Sequence, residues 1–147
     1  MRTLKFATSD KNQLHFSAAV RKNVNDYFKE KGIPQTANYA MVLQTIVMLS
    51  LYIVPFILIL TIPMNIWVAL GLVIVMGLGT AGIGMSVMHD AVHGSYSRKE
   101  WVNKMFGSSM YLLGSNVFNW KVQHNILHHA NTNIDGFDGD IDSKGPI

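Results

Sequence analysis

From Gly32 through Met88 the sequence contains no aspartate, glutamate, lysine or arginine. The stretch is long enough to cross a bilayer twice at about 20 residues per crossing, and a soluble core of this size rarely avoids charge for so long. Hydrophobic residues make up 49% of the chain and charged residues 14%, about half the charge of an ordinary soluble domain. The shortage is local, and it makes the chain an all-α, multi-span helical membrane protein.

Pro63, Met64 and Asn65 divide the uncharged stretch, giving a transmembrane hairpin over residues 39–88 with helices of about 39–62 and 66–88. Pro55 lies inside the first helix and should kink it, a defect that a neighbouring membrane helix can compensate. In the second helix Gly77 and Ala81, and likewise Gly82 and Ser86, are small residues four apart, a spacing that lets another helix approach closely. Lys22, Lys29 and Lys31 precede the hairpin, Arg98, Lys99 and Lys104 follow it, and the turn carries no charge. The positive-inside rule therefore places both polar flanks in the cytoplasm.

Residues 1–38 form an N-terminal cytosolic region. Within it Val20, Val24, Tyr27 and Phe28 recur at helical spacing, with Ser17 as N-cap and Gly32 as stop. The apolar stripe of this amphipathic helix is narrow, which favours packing against protein over lying on lipid. The first 30 residues carry charge throughout and have no apolar core of the signal-peptide kind. Residues 89–147 make a cytosolic or interfacial region, in which Trp101 to Trp120 reads as one interfacial helix, partly re-entrant.

Five of the six histidines fall in two groups, His89-Asp-Ala-Val-His93 and His124-Asn-Ile-Leu-His128-His129. On a helix, residues four apart project from one face about one turn apart, so two imidazoles can reach a metal between them. His129 points about 100° away from His128 on a regular helix and could serve a second ion. The rise from Ile66 to His89 is roughly 35 Å, more than the hydrocarbon thickness of about 30 Å, so the first group emerges at the membrane face. The second follows a short excursion and returns to the same face. His15 stands alone in a polar segment and carries no such implication.

Cysteine is absent, so thiolate metal sites, disulfides and cysteine nucleophiles are excluded. Imidazole suits zinc, copper, nickel and iron. The zinc-protease pattern requires a glutamate that Asp90, Ala91 and Val92 do not provide, and a thiolate-free site beside lipid favours iron and oxygen chemistry. Asp138, Asp140 and Asp142 imitate the start of a calcium loop, but Ser143 stands where glycine is needed and no glutamate follows. Asp90, between two candidate ligands, and Asp138 are the carboxylates expected to accept hydrogen bonds from ligand imidazoles, Asp90 the stronger case. Asn116, Phe118 and Trp120 are candidates for lining a substrate channel, with interfacial anchoring the simpler reading of Trp120. The net charge of +3, without stacking aromatics among the basic residues, points to anionic lipid rather than nucleic acid.

The stretches HDAVHGSYS and WKVQHNILHHANTNIDGFDGDID resemble the first two histidine boxes of membrane fatty acid desaturases, the second most closely those of the bacterial acyl-lipid and linoleoyl-CoA desaturase-like branch. The resemblance covers the amphipathic helix, the hairpin and both boxes. It implies a mushroom-shaped helical protein in the inner membrane of a bacterium, with two iron ions in a cytosolic cap. His89, His93, His124, His128 and His129 are thereby carried over as iron ligands, with no catalytic residue expected beyond them. The implied reaction is O2-dependent desaturation of a fatty acyl chain carried on CoA, acyl-carrier protein or lipid. No His-Pro-Gly-Gly motif of a fused cytochrome b5 occurs, so a separate ferredoxin or cytochrome b5 would supply electrons. The family also supplies a third histidine box after further spans, which this sequence does not contain. The chain is therefore expected to be an incomplete, inactive part of one desaturase domain. A hydroxylase or ketolase on the same scaffold, and a non-enzymatic membrane metal-binding protein, are the alternatives.

Overall fold

The computed structural model describes residues 11–141; Asp142 and Ser143 of the acidic run lie outside them. Every regular element among the described residues is helical. Helix α1 spans Lys11–Lys31, so it is already under way six residues before the expected Ser17 cap. Lys11, Gln13 and Leu14 are good helix formers, and nothing before Ser17 breaks the helix. Its apolar side is open, with Phe16 71% exposed. The stop falls at Gly32, which adopts φ +62°, while the Ile33 amide donates back to the Phe28 carbonyl at 3.2 Å in the manner of a left-handed C-terminal cap.

Helices α2, Tyr39–Thr61, and α3, Ile66–Val92, are both long and apolar enough to cross a membrane. Each begins at an asparagine cap. The Asn38 side chain accepts the Met41 amide at 3.0 Å, and Asn65 accepts both the Trp67 and Val68 amides at 3.0 Å. These side chains satisfy amides that have no partner inside their helices. α2 runs through Pro55 without interruption.

The two helices meet through glycine, though not through every pair that spacing suggests. A Cβ at Gly79 would lie 2.7 Å from the Tyr52 backbone nitrogen, and one at Gly82 would collide with the Met48 thioether. Gly77 and Ala81 are exposed, and nothing lies within 4 Å of a Cβ built at Gly77. Spacing identifies small residues, but α2 packs on the side of α3 that carries Gly79. Lower on the same side, the Gln44 amide donates to Ser86 Oγ at 3.3 Å, while Ser86 Oγ donates to the Gly82 carbonyl at 2.7 Å.

α3 is not uniform. Ile83–Val87 is a π-helical segment, and the α-helix resumes at Met88–Val92 to carry His89. Ile83, Val87, Met88 and Ala91 are buried there, so this segment is the best-packed part of the molecule. Gly94, at φ +74°, ends the helix.

α4, Glu100–Gly107, continues as a 3-10 segment over Ser108–Leu113. The single interfacial helix expected over Trp101–Trp120 is therefore two. Gly114 takes φ +73° and stops the first, and Asn116 caps the second, accepting the Phe118 amide at 2.8 Å. That last helix, α5, covers residues 117–131 and is α-helical at Val117–Trp120, π-helical at Lys121–His128 and α-helical again at His129–Asn131. Tyr52 Oη donates to the Leu112 carbonyl at 2.8 Å, fastening the 3-10 segment to the membrane hairpin.

Candidate metal centre

Both histidine groups sit on helices interrupted by π geometry, and this shapes the site. A helix bonded i→i+5 takes more than four residues to close a turn, so positions four and five apart straddle one face. The Lys121–His128 segment thereby turns His129 toward the side that His124 and His128 share. The His124 and His129 ring centroids are 4.9 Å apart, and those of His128 and His129 are 5.3 Å apart. On a regular helix adjacent positions are about 100° apart, and spacing alone does not reveal the π geometry that precedes His129.

The two groups converge. His89 and His93 are 4.5 Å apart by ring centroid. His124 lies 5.3 Å from His89 and 5.4 Å from His93, and His129 lies 5.0 Å from His93. The ligand atoms of His89, His93 and His124 fall within 4.8 Å of one another, as do those of His124, His128 and Asp140. Donors sharing one ion at about 2.1 Å lie no more than about 4.2 Å apart, so small side-chain rotations close the set.

The cluster fits a metal on independent grounds. His124 Nε2 is buried and has no hydrogen-bond partner, an uncommon state for a buried polar atom and one that a bound ion would resolve. Burial first, and then the neighbouring rings of His89, His129 and His124, hold the His93 imidazole below its ordinary pKa. This favours the neutral form that ligates metals.

Carboxylates lie behind the rings. Asp138 is 0% exposed, and His128 Nδ1 lies 2.8 and 3.0 Å from its two oxygens. The amides of Asn133 and Asp140 also donate to Asp138, at 2.8 and 3.1 Å. Burial pushes this carboxyl up, but the bonds from His128, Asn133 and Asp140 outweigh it and hold the group below the usual carboxylate range. Asp90, the stronger expectation from sequence, meets His89 Nδ1 at 3.3 Å, a longer contact than Asp138 makes with His128. Sequence adjacency put Asp90 forward, whereas chain reversal at Asn133, φ +62°, brings Asp138 to the ring.

Trp120 stands inside the cluster. Its indole stacks on His124 with centroids 4.3 Å apart and meets His89 and His93 edge-on, each at 5.6 Å. Asn116 is occupied as a helix cap, and Phe118 is exposed beside it. Asp140 and Gln123 both touch the site. The sequence presented Asp140 only as one of the carboxylates of the acidic run, and Gln123 had no signal beyond proximity to the second histidine group.

An all-helical membrane hairpin with a polyhistidine cluster at one end defines a narrow class of proteins. The fatty acid desaturase family model matches residues 64–146, and the chain belongs to that family. It is 33% identical over 126 residues to an sn-1 linoleoyl-lipid 6-desaturase of Arthrospira platensis, covering 86% of this chain and 34% of that protein. It is 32% identical over 144 residues to an acyl-lipid (8-3)-desaturase of Physcomitrium patens, covering 98% of this chain and 30% of that protein. A second sn-1 linoleoyl-lipid 6-desaturase, from Synechocystis, is 31% identical over 132 residues, covering 90% and 37%. The chain thus spans about a third of the length of these relatives. No solved structure gives a significant match.

Proposed function

We propose that this chain supplies the first two histidine boxes of an O2-dependent desaturase acting on a fatty acyl chain, with His89, His93, His124, His128 and His129 as ligands to a pair of irons. The observation that carries this reading is the convergence of His89, His93 and His124 from two separate helices, with His124 Nε2 buried and unpartnered. When bound, the irons would supply the dioxygen activation that breaking the C–H bonds of an unactivated methylene requires. The protein's part is to hold neutral imidazoles, orient them and exclude water. Asp138 fixes His128 through Nδ1 and leaves its Nε2 for metal. Trp120 closes one side of the cluster and keeps that side apolar.

The hairpin α2–α3 would anchor the site next to lipid, with the histidine boxes facing the cytoplasm of a bacterial cell. The relatives named above are acyl-lipid or linoleoyl-lipid desaturases, which favours a lipid-linked acyl chain over acyl-CoA or acyl-carrier protein. Electrons would come from a separate carrier such as ferredoxin or cytochrome b5.

The test is expression of the complete reading frame that encodes this chain in a host lacking the corresponding unsaturated lipids, followed by mass spectrometry of its acyl chains. A new alkene that disappears in His128→Ala supports the proposal. A hydroxylated product without alkene would replace desaturation by hydroxylation on the same centre.

A further inference from the structure

Asp140 meets the first imidazole of the second histidine group, as Asp138 meets the second. Asp140 Oδ2 lies 2.6 Å from His124 Nδ1, and its Oδ1 accepts the Gln123 side-chain amide at 3.2 Å. Adjacent residues of the π-helical segment therefore hold the two oxygens of one carboxylate, which fixes its plane. The loop is secured from below, because the Asp140 amide donates to Asp138 Oδ1 at 3.1 Å and Asp138 in turn binds His128 Nδ1. His128, Asp138, Asp140 and His124 thus form one continuous hydrogen-bonded chain. Although the loop is at the surface, the Asp140 side chain is only 25% exposed and that of His124 only 17%.

In a bond of this geometry the carboxylate oxygen is the acceptor and the imidazole Nδ1–H the donor. We infer that Asp140 is a positioning residue that holds His124 in the Nδ1–H tautomer, so that its bare Nε2 faces His89 and His93. The orphaned state of that atom is the independent observation: Nε2 is buried and unpartnered, and the ligand atoms of His89, His93 and His124 lie within 4.8 Å of one another. A proton on Nε2 would point into that space and find no acceptor. Asp140 acts from the Nδ1 side and does not itself bind the ion, although its oxygen is near enough to His124 and His128 for ligation to be the competing arrangement. The inference rests on the metal-centre reading above, and the two can fail separately.

The experiment has two parts, both on protein expressed from the complete reading frame and purified in detergent. The first measures the 15N shifts of His124 in metal-free wild-type protein, which report the tautomer without any metal or activity. Nδ1–H with unprotonated Nε2 is expected, and the opposite tautomer would overturn the role of Asp140. The second titrates cobalt(II) as a probe into wild type, Asp140→Ala, Asp140→Asn and, as a control of equal charge change in the same loop, Asp135→Ala. Asp140→Ala should bind about 10- to 100-fold more weakly. Asp140→Asn, whose amide oxygen still accepts from Nδ1–H, should recover most of the affinity, and Asp135→Ala should match wild type. An Asn variant as weak as the Ala variant would make Asp140 a ligand, and an unimpaired Ala variant would make it a bystander; either result overturns the inference. If wild-type protein takes up no cobalt, the metal-centre reading fails, while the tautomer measurement still decides for or against Asp140.

Discussion

Tyr96 Oη donates a buried hydrogen bond to Thr45 Oγ1 at 2.9 Å, joining residues 51 apart in sequence. Thr45 Oγ1 in turn donates to the Met41 carbonyl at 2.9 Å, and the Ala37 amide donates to the Tyr96 carbonyl at 3.0 Å. The loop that follows the first histidine group is thereby fixed to the start of α2. Tyr96→Phe should keep the ring against Phe106, whose centroid is 4.7 Å away, and lose only the hydrogen bond. A loss of about 1–2 kcal/mol in unfolding free energy is expected, read from denaturant titration in micelles. No change would mean that the bond contributes nothing to docking this loop on the hairpin.

Gly79 and Gly77 make a matched pair for testing the helix contact. Gly79→Ala forces a Cβ into the α2 backbone, where no flexible side chain can yield, and should cost about 1–3 kcal/mol. Gly77→Ala meets open space and should be neutral or slightly stabilising, because alanine is the better helix former. Equal effects at the two positions would refute the observed hairpin packing.

Asn103 staples the turn after His93. Its Oδ1 accepts the Ser97 amide at 2.8 Å, and its Nδ2 donates to the carbonyls of Ser97 at 2.7 Å and Gly94 at 3.3 Å. Asn103→Ala should destabilise the protein by about 1–3 kcal/mol and raise amide exchange selectively over residues 94–99. Uniform exchange along the chain would show that the staple is not local.

These contacts also mark where sequence reading reaches its limit. The hairpin was legible because charge avoidance and the turn at Pro63, Met64 and Asn65 are local signals of membrane burial and chain reversal, and the end of α1 because Gly32 is a local helix stop. The histidine groups were legible because fourfold spacing on a helix has few other uses. What sequence did not disclose depends on tertiary context. The π segments at Ile83–Val87 and Lys121–His128 carry no compositional mark, so the true direction of His129 could not be read. Gly114 carries no distinguishing mark within residues 101–120, and its φ of +73° divides the expected helix in two. Asp138 was expected beside a ligand imidazole, but which ring it and Asp140 would meet depends on a fold-back of the chain, which spacing does not encode.

Trp120 gives a prediction at the centre of the site. Aromatic pairs contribute about 0.5–1.5 kcal/mol each beyond burial, and Trp120 contacts three imidazoles. Trp120→Phe should retain the stack on His124, whereas Trp120→Ala should loosen His89, His93 and His124 together. Cobalt(II) absorption spectra of the two variants test this: the Phe variant should resemble wild type, and the Ala variant should show weakened and broadened ligand-field bands. Identical spectra would assign Trp120 to the membrane interface rather than to the metal centre.

The central claim, that two histidine groups on separate helices grip a shared pair of metals, is tested most directly by iron analysis with Mössbauer spectroscopy. The sample is protein from the complete reading frame, reconstituted anaerobically with ferrous iron. Two irons per chain with nitrogen-rich coordination are expected, with a clear loss in His128→Ala and in His93→Ala alike. No bound iron, or iron unchanged by both substitutions, would contradict the account.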